Sequence, residues 1–92
     1  WHDWDLSSIV PAGYRTAVIH VFGQAISSGS SILDIRKNGN SNAWNMSELI
    51  GVNSQYVYAD IVVQLDANRV CEYKSSAGGW TSLNLIVGAY FQ

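Results

Sequence analysis

The sequence predicts an all-β fold: an antiparallel β-sandwich, jelly-roll-like, of six to eight strands in one domain over residues 1–92. Apolar residues recur at every second position in several short segments, the period that sends side chains alternately to the two faces of a strand. Each segment closes in a cluster of Gly, Asn, Asp or Ser, residues that turn the chain. No stretch carries the periodicity of a helix of about ten residues.

The first segment, Trp4 to Val10, stops at Pro11-Ala12-Gly13, where Pro fixes φ and Gly permits a turn. The second, Tyr14 to Ile26, places Ala17, Ile19 and Val21 on one face and Val18, His20 and Phe22 on the other. Neither face is plainly wet, so a central strand, or one covered on both sides, is expected. Ser27 to Ser30 reads as a loop, and Ser31 to Lys37 alternates Leu33 and Ile35 against Asp34 and Arg36. Asn38-Gly39-Asn40 predicts a tight hairpin turn, because Asn and Gly both tolerate positive φ.

Ala43 to Met46 reads as a short strand and Ser47 to Gly51 as one helical turn or a loop. From Tyr56 to Leu65 the odd positions Val57, Ala59, Ile61, Val63 and Leu65 are all apolar, whereas Tyr56, Tyr58, Asp60 and Gln64 make the other face partly polar. Asp66-Ala67-Asn68-Arg69 turns the chain into a strand over Val70 to Lys74, and Ser75 to Gly79 turns it again. The last strand, Trp80 to Phe91, buries Leu83, Leu85, Val87, Ala89 and Phe91 on one face and shows Ile86 and Tyr90 on the other.

A chain of 92 residues has room for one core. Charged residues are 13% of it, against roughly 25% in an average soluble domain, and hydrophobic residues are 48%. That composition predicts an apolar surface covered by a partner. A net charge of −2 with cations scattered singly at Arg15, Arg36, Lys37, Arg69 and Lys74 leaves no basic stripe for nucleic acid. There is no membrane-length apolar run, so no membrane insertion is expected, and the lone Cys71 has no partner for an internal disulfide. The start at Trp1, without Met, reads as a fragment of a longer protein.

No catalytic constellation emerges, and none of the residues reads as catalytic. A nucleophile needs an imidazole in reach and a third group to orient it. Only His2 and His20 are on offer: one near a chain end, the other in mid-strand where a core or interface role fits better. Cys71, between Val70 and Glu72, reads as a packing residue with no cation beside it to activate it. Metal-ligand spacings are absent, Asp3 and Asp5 being the nearest approach, so no metal and no cofactor is expected. The seven acids give no recognisable pair for glycoside hydrolysis.

The aromatic residues remain. Trp44, in Asn40-Ser41-Asn42-Ala43-Trp44-Asn45, is surrounded by amides suited to sugar hydroxyls, and an indole face suits the apolar side of a pyranose ring. The candidate glycan-binding set is Trp44, Asn40, Asn42, Arg36, Trp80 and Tyr58. The structural alternative has Trp44 and Trp80 plugging the ends of the sandwich.

The runs Asp5-Leu6-Ser7-Ser8-Ile9-Val10-Pro11-Ala12-Gly13 with Ala17-Val18-Ile19, Ile35-Arg36-Lys37-Asn38-Gly39-Asn40, and Leu85-Ile86-Val87-Gly88-Ala89-Tyr90 resemble a β-sandwich domain near the C-terminus of phage and prophage tail fibre or tailspike proteins. The pieces are short, but together they span nearly the whole chain. The resemblance implies a homotrimeric virion or extracellular module, used for trimer closure and for contacting bacterial surface polysaccharide, any depolymerase activity lying upstream. It assigns structural roles to Pro11, Gly13, Asn38, Gly39 and Gly88, the last for close packing. Trimer formation would cover a second apolar face made by Val18, Phe22, Ile86 and Tyr90. The competing expectation is a carbohydrate-binding module or lectin of a secreted enzyme or adhesin, whose outer face is polar around a flat aromatic platform. A small hydrolase is the third.

Overall fold

Seven strands carry the alternation: β1 (His2–Asp5), β2 (Thr16–Ala25), β3 (Ser30–Lys37), β4 (Met46–Val52), β5 (Tyr56–Gln64), β6 (Val70–Ala77) and β7 (Trp80–Phe91). This computed structural model describes residues 1–92, apart from the side chain of Ala77. The strands form two antiparallel sheets, in the orders β1-β6-β3-β4 and β5-β2-β7, packed together as a sandwich. Only β3 and β4 are neighbours both in sequence and in a sheet; every other connection crosses to the opposite sheet, the wrapped path expected of a jelly-roll-like sandwich.

The core forms where the inward positions of both sheets meet. Ala17, Ile19 and Val21 of β2 and Ile61 and Val63 of β5 face Leu33 and Ile35 of β3 and Cys71 of β6. Each large aliphatic side chain buried there contributes about 1.5–3 kcal/mol. Three core residues come from outside the strands: Leu65, just past β5, and Leu6 and Val10 after β1. Leu6 and Val10 are fully buried, and the amides of Ile9 and Val10 both donate to the Leu6 carbonyl, at 3.0 and 2.8 Å. The expected strand over Trp4 to Val10 is therefore a strand up to Asp5 and then a helical turn. Asp5 Oδ1 accepts the Ser7 amide at 2.8 Å and caps that turn, and the Ser7 side chain, followed by this amide, lowers the Asp5 carboxyl pKa. The four-residue spacing of Leu6 and Val10 behind an Asp was the missed signal.

Three other expectations change. Ser47 to Gly51 is strand, because it pairs with β3 from Arg36↔Met46 to Ser30↔Val52 and brings Leu49 opposite Leu33; of Ala43 to Met46 only Met46 belongs to it. Asn38-Gly39 does make a tight turn, with the Asn40 amide donating to the Lys37 carbonyl at 3.1 Å and Gly39 at φ +79°. Only Gly39 takes positive φ there, so the turn is not the two-residue hairpin type, and the chain runs on through 40–45 before β4 begins. β6 extends to Ala77, which confines the second expected turn to Gly78-Gly79.

Alternation in β7 breaks at Gly88. Pairing with β2 steps from Val18↔Ala89 to Ile19↔Val87, leaving Gly88 as a bulge. The bulge reverses the faces beyond it. Tyr90, opposite Ala17, turns inward and packs edge-on against Tyr14 at 5.1 Å, whereas Ala89 and Phe91 join the outer face. The expected faces of Ala89, Tyr90 and Phe91 are thus exchanged.

Candidate functional site

The outer face of the β5-β2-β7 sheet is the first surface that the fold leaves open. Its cross-strand rows are Gln64–Thr16–Phe91, Val62–Val18–Ala89, Asp60–His20–Ile86, Tyr58–Phe22–Asn84 and Tyr56–Gln24–Ser82. Apolar side chains occupy every row. Val62 is 62%, Ile86 56% and Phe91 54% exposed, and Tyr56 and Tyr58 are equally open. Phe22 and Tyr58 stack at 5.2 Å with their planes 25° apart. A two-sided apolar β2 was legible in the sequence; Val62 and Phe91, now part of the same surface, were not assigned to it. Tyr90 leaves it through the bulge.

At the centre of this face His20 Nδ1 lies 2.6 Å from Asp60 Oδ1. His20 is thus exposed rather than a core histidine, and its carboxylate partner sits directly across the β2–β5 ladder. The pair resembles two thirds of a hydrolytic triad, but the side chains in its own and the two flanking rows are Val62, Val18, Ala89, Ile86, Tyr58, Phe22 and Asn84. None offers a serine, threonine or cysteine nucleophile to the imidazole. As a solvent-exposed pair it contributes about 0–1 kcal/mol to stability.

The second surface is a cleft of about 420 Å³ at one end of the sandwich, between the start of β4 and the end of β5. Trp44 and Arg36 of the expected glycan set line it. Trp44 is 92% exposed, so it does not plug the sandwich; Trp80, packed on the core beside Ala25, does. Asn40 and Asn42 build the loop instead of lining the cleft. Asn40 Oδ1 accepts the Asn42 amide and Asn42 Oδ1 accepts the Trp44 amide, both at 2.9 Å, while Asn40 Nδ2 donates to the Asn45 carbonyl at 3.2 Å. This chain of side-chain to backbone bonds is the work Asn does in turns, and it holds Trp44 out into solvent. Tyr58 lies on the outer face of the other sheet. Lys37, Asn45, Ser47 and Gln64, unassigned by sequence reasoning, also line the cleft.

Arg36 is held from two sides. Its Nε donates to Glu72 at 3.1 Å, and its guanidinium sits 3.8 Å from the centroid of the Trp1 ring. On the same outer face of the four-stranded sheet, Asp34 is only 3% exposed and its Oδ1 has no hydrogen-bond partner. Glu48 stands opposite it on β4, and its pKa is raised chiefly by the facing Asp34 carboxyl, which favours a proton on Glu48 that it can accept in a hydrogen bond and repels the charged form. The folded state therefore favours protonated Glu48. The stability this brings is complete below the ordinary carboxylate range and is lost as the pH rises through the raised value. Glu48→Gln should raise the melting temperature at pH 7 and leave it unchanged at pH 3, as thermal melts by circular dichroism at the two pH values will read.

Among the described residues no group of three or more His, Cys, Asp and Glu is placed to hold a metal ion, and no helix is long and apolar enough to cross a membrane. No protein-family model, curated protein or solved structure matches this chain.

Proposed function

We propose that this domain is a non-catalytic module of the tail fibre or tailspike type, which assembles as a homotrimer and recognises bacterial surface polysaccharide in a virion or extracellular setting. The observation that carries the reading is the outer face of β5-β2-β7, where Phe22, Tyr58, Val62, Ile86 and Phe91 lie open in adjacent rows. A sheet face of that composition is costly in water and is normally covered. In a homo-oligomer the cover is the same face, or a neighbouring one, of another copy. The three-fold stoichiometry comes from the family resemblance, and the His20–Asp60 pair supplies a polar contact able to fix the register of an otherwise apolar seam.

Light scattering on a sizing column across a dilution series tests this directly. The expected mass is three times the 10.1 kDa of the chain, persisting on dilution. Phe22→Glu with Ile86→Glu is expected to yield a folded monomer, because both side chains point away from the core. A concentration-independent monomer of the unaltered chain would overturn the trimer.

The carbohydrate-binding module is the second reading, favoured by Trp44 standing almost fully exposed over its cleft. It differs from the first in requiring no partner for the apolar face.

A further inference from the structure

We infer that the Trp44 cleft takes an acidic saccharide, its sugar ring stacked on Trp44 and its carboxylate paired with Lys37. The inference rests on the polysaccharide-recognition half of the reading above and is independent of trimer formation. Its volume of about 420 Å³ falls within the roughly 300–1,000 Å³ of small-ligand sites.

The lining decides the ligand's chemistry. It includes two cations, Arg36 and Lys37, and no carboxylate. The two cations are not equivalent. Arg36 is committed to Glu72 and to the Trp1 ring, so most of its charge is already answered. Lys37 is exposed and, among the described residues, has no carboxylate within ion-pair distance. Asp66 is near enough for Lys37 to help lower its pKa, yet the Asp66 oxygens are taken by Asn38 Nδ2 at 2.8 Å and by the Asn68 and Val70 amides, both at 2.9 Å. Lys37 is left as the cation that an incoming anion meets.

The neutral polar residues are in the same state. Asn45, Ser47 and Gln64 line the cleft, and none of their side chains makes a hydrogen bond among the described residues. They contrast with Asn38, Asn40 and Asn42 close by, whose side chains are all used to hold the fold. Three uncommitted hydrogen-bonding groups, a lone lysine and an open indole face match the hydroxyls, the carboxylate and the apolar face of a uronic or sialic acid residue. Lysine, a compact charge on a flexible stem, suits one carboxylate whose position varies with sugar linkage.

Isothermal titration calorimetry of the full chain tests the assignment with tetragalacturonate, tetraguluronate, a hyaluronan tetrasaccharide and a sialic acid trimer, and with the methyl ester of tetragalacturonate as the uncharged control. At least one acid should bind, its affinity falling at least tenfold in Trp44→Ala, about fivefold or more in Lys37→Gln, and with rising salt. If tetragalacturonate is the ligand, its ester should bind unaltered protein no better than the acid binds Lys37→Gln. Both substituted residues are exposed, so melting temperatures should stay within about 2 °C of the parent and separate lost binding from lost fold. Binding to none of the acids, or binding that Lys37→Gln leaves unchanged, overturns the acidic-saccharide assignment. In that event, ester binding that requires Trp44 would preserve polysaccharide recognition without the charge, and binding to no saccharide in the set would remove this cleft as its seat.

Discussion

Gly23→Ala is expected to lower the unfolding free energy by about 3 kcal/mol, the upper part of the range for overfilled cores. A Cβ on Gly23 would stand 2.6 Å from the Ser82 backbone carbonyl oxygen and 3.3 Å from a Leu83 methyl. The obstacle is the main chain of the paired strand, and it cannot rotate away as a side chain can. Relief requires β7 to move off β2 where the ladder already shifts register between Gln24 and Ala25. Gly88→Ala is the matched control, since a Cβ there would meet only ordinary contacts at 3.7 and 3.8 Å. Close packing, expected of Gly88 on resemblance, is the property of Gly23; Gly88 serves as the bulge. Thermal melts of the two variants should differ by more than about 10 °C, given roughly 4–8 °C per kcal/mol in a domain of this size. Similar melting temperatures would show that β7 yields without cost.

What the sequence disclosed and what it hid follow from the range of the interactions. β2, β3 and β5 were legible because strict alternation with one buried face is a local pattern, and Ala17, Ile19, Val21, Leu33, Ile35, Ile61 and Val63 are all buried in it. β4 was hidden, since Ser47-Glu48-Leu49-Ile50-Gly51 becomes strand through its pairing with β3, a contact no local pattern announces. The β7 faces were misassigned because one unpaired residue reverses every side chain beyond it. The same division runs through the candidate sites. An aromatic among amides pointed to Trp44, but which amides were free depended on hydrogen bonds inside the 40–45 loop, and Gln64 reaches the cleft from β5 in the other sheet. The apolar outer face is likewise a sum over three strands, of which the sequence displayed mainly β2.

That outer face also explains how so weakly charged a chain would function. Besides the side chains sealed between the sheets, Phe22, Tyr56, Tyr58, Val62, Ile86 and Phe91 gather on the outer face of β5-β2-β7, while Trp1, Ile9, Trp44 and Ile50 are exposed elsewhere. The cleft opens beside the β5 end of that face, with Val62 belonging to both. Assembly through the face would bring further copies close to the cleft, and a polymeric ligand could then engage several cleft copies at once.

Cys71 is expected to react with a thiol reagent at pH 8 at least about 100-fold more slowly in the folded domain than in the unfolded chain. The side chain is fully buried, and burial, the largest cause, pushes the thiol pKa up from 9.0 to about 11. At pH 8 a free thiol of pKa 9.0 is roughly one tenth thiolate, whereas one of pKa about 11 is ionised to about one part in a thousand. Higher intrinsic nucleophilicity returns part of that factor, and the need for the structure to open before the reagent can enter slows the reaction further. The linkage has a definite sign. The neutral thiol is favoured in the fold, so the stability it brings is present below pH 9.0 and declines as the pH climbs from 9.0 towards 11 and the unfolded thiol ionises. Because Cys71 is sealed in the core of the sandwich and belongs neither to the outer face of β5-β2-β7 nor to the lining of the cleft, its labelling rate reports the fold alone. In Phe22→Glu/Ile86→Glu, slow labelling together with a monomeric mass would locate the loss in the assembly surface; rapid labelling would show instead that the sandwich itself depends on those side chains.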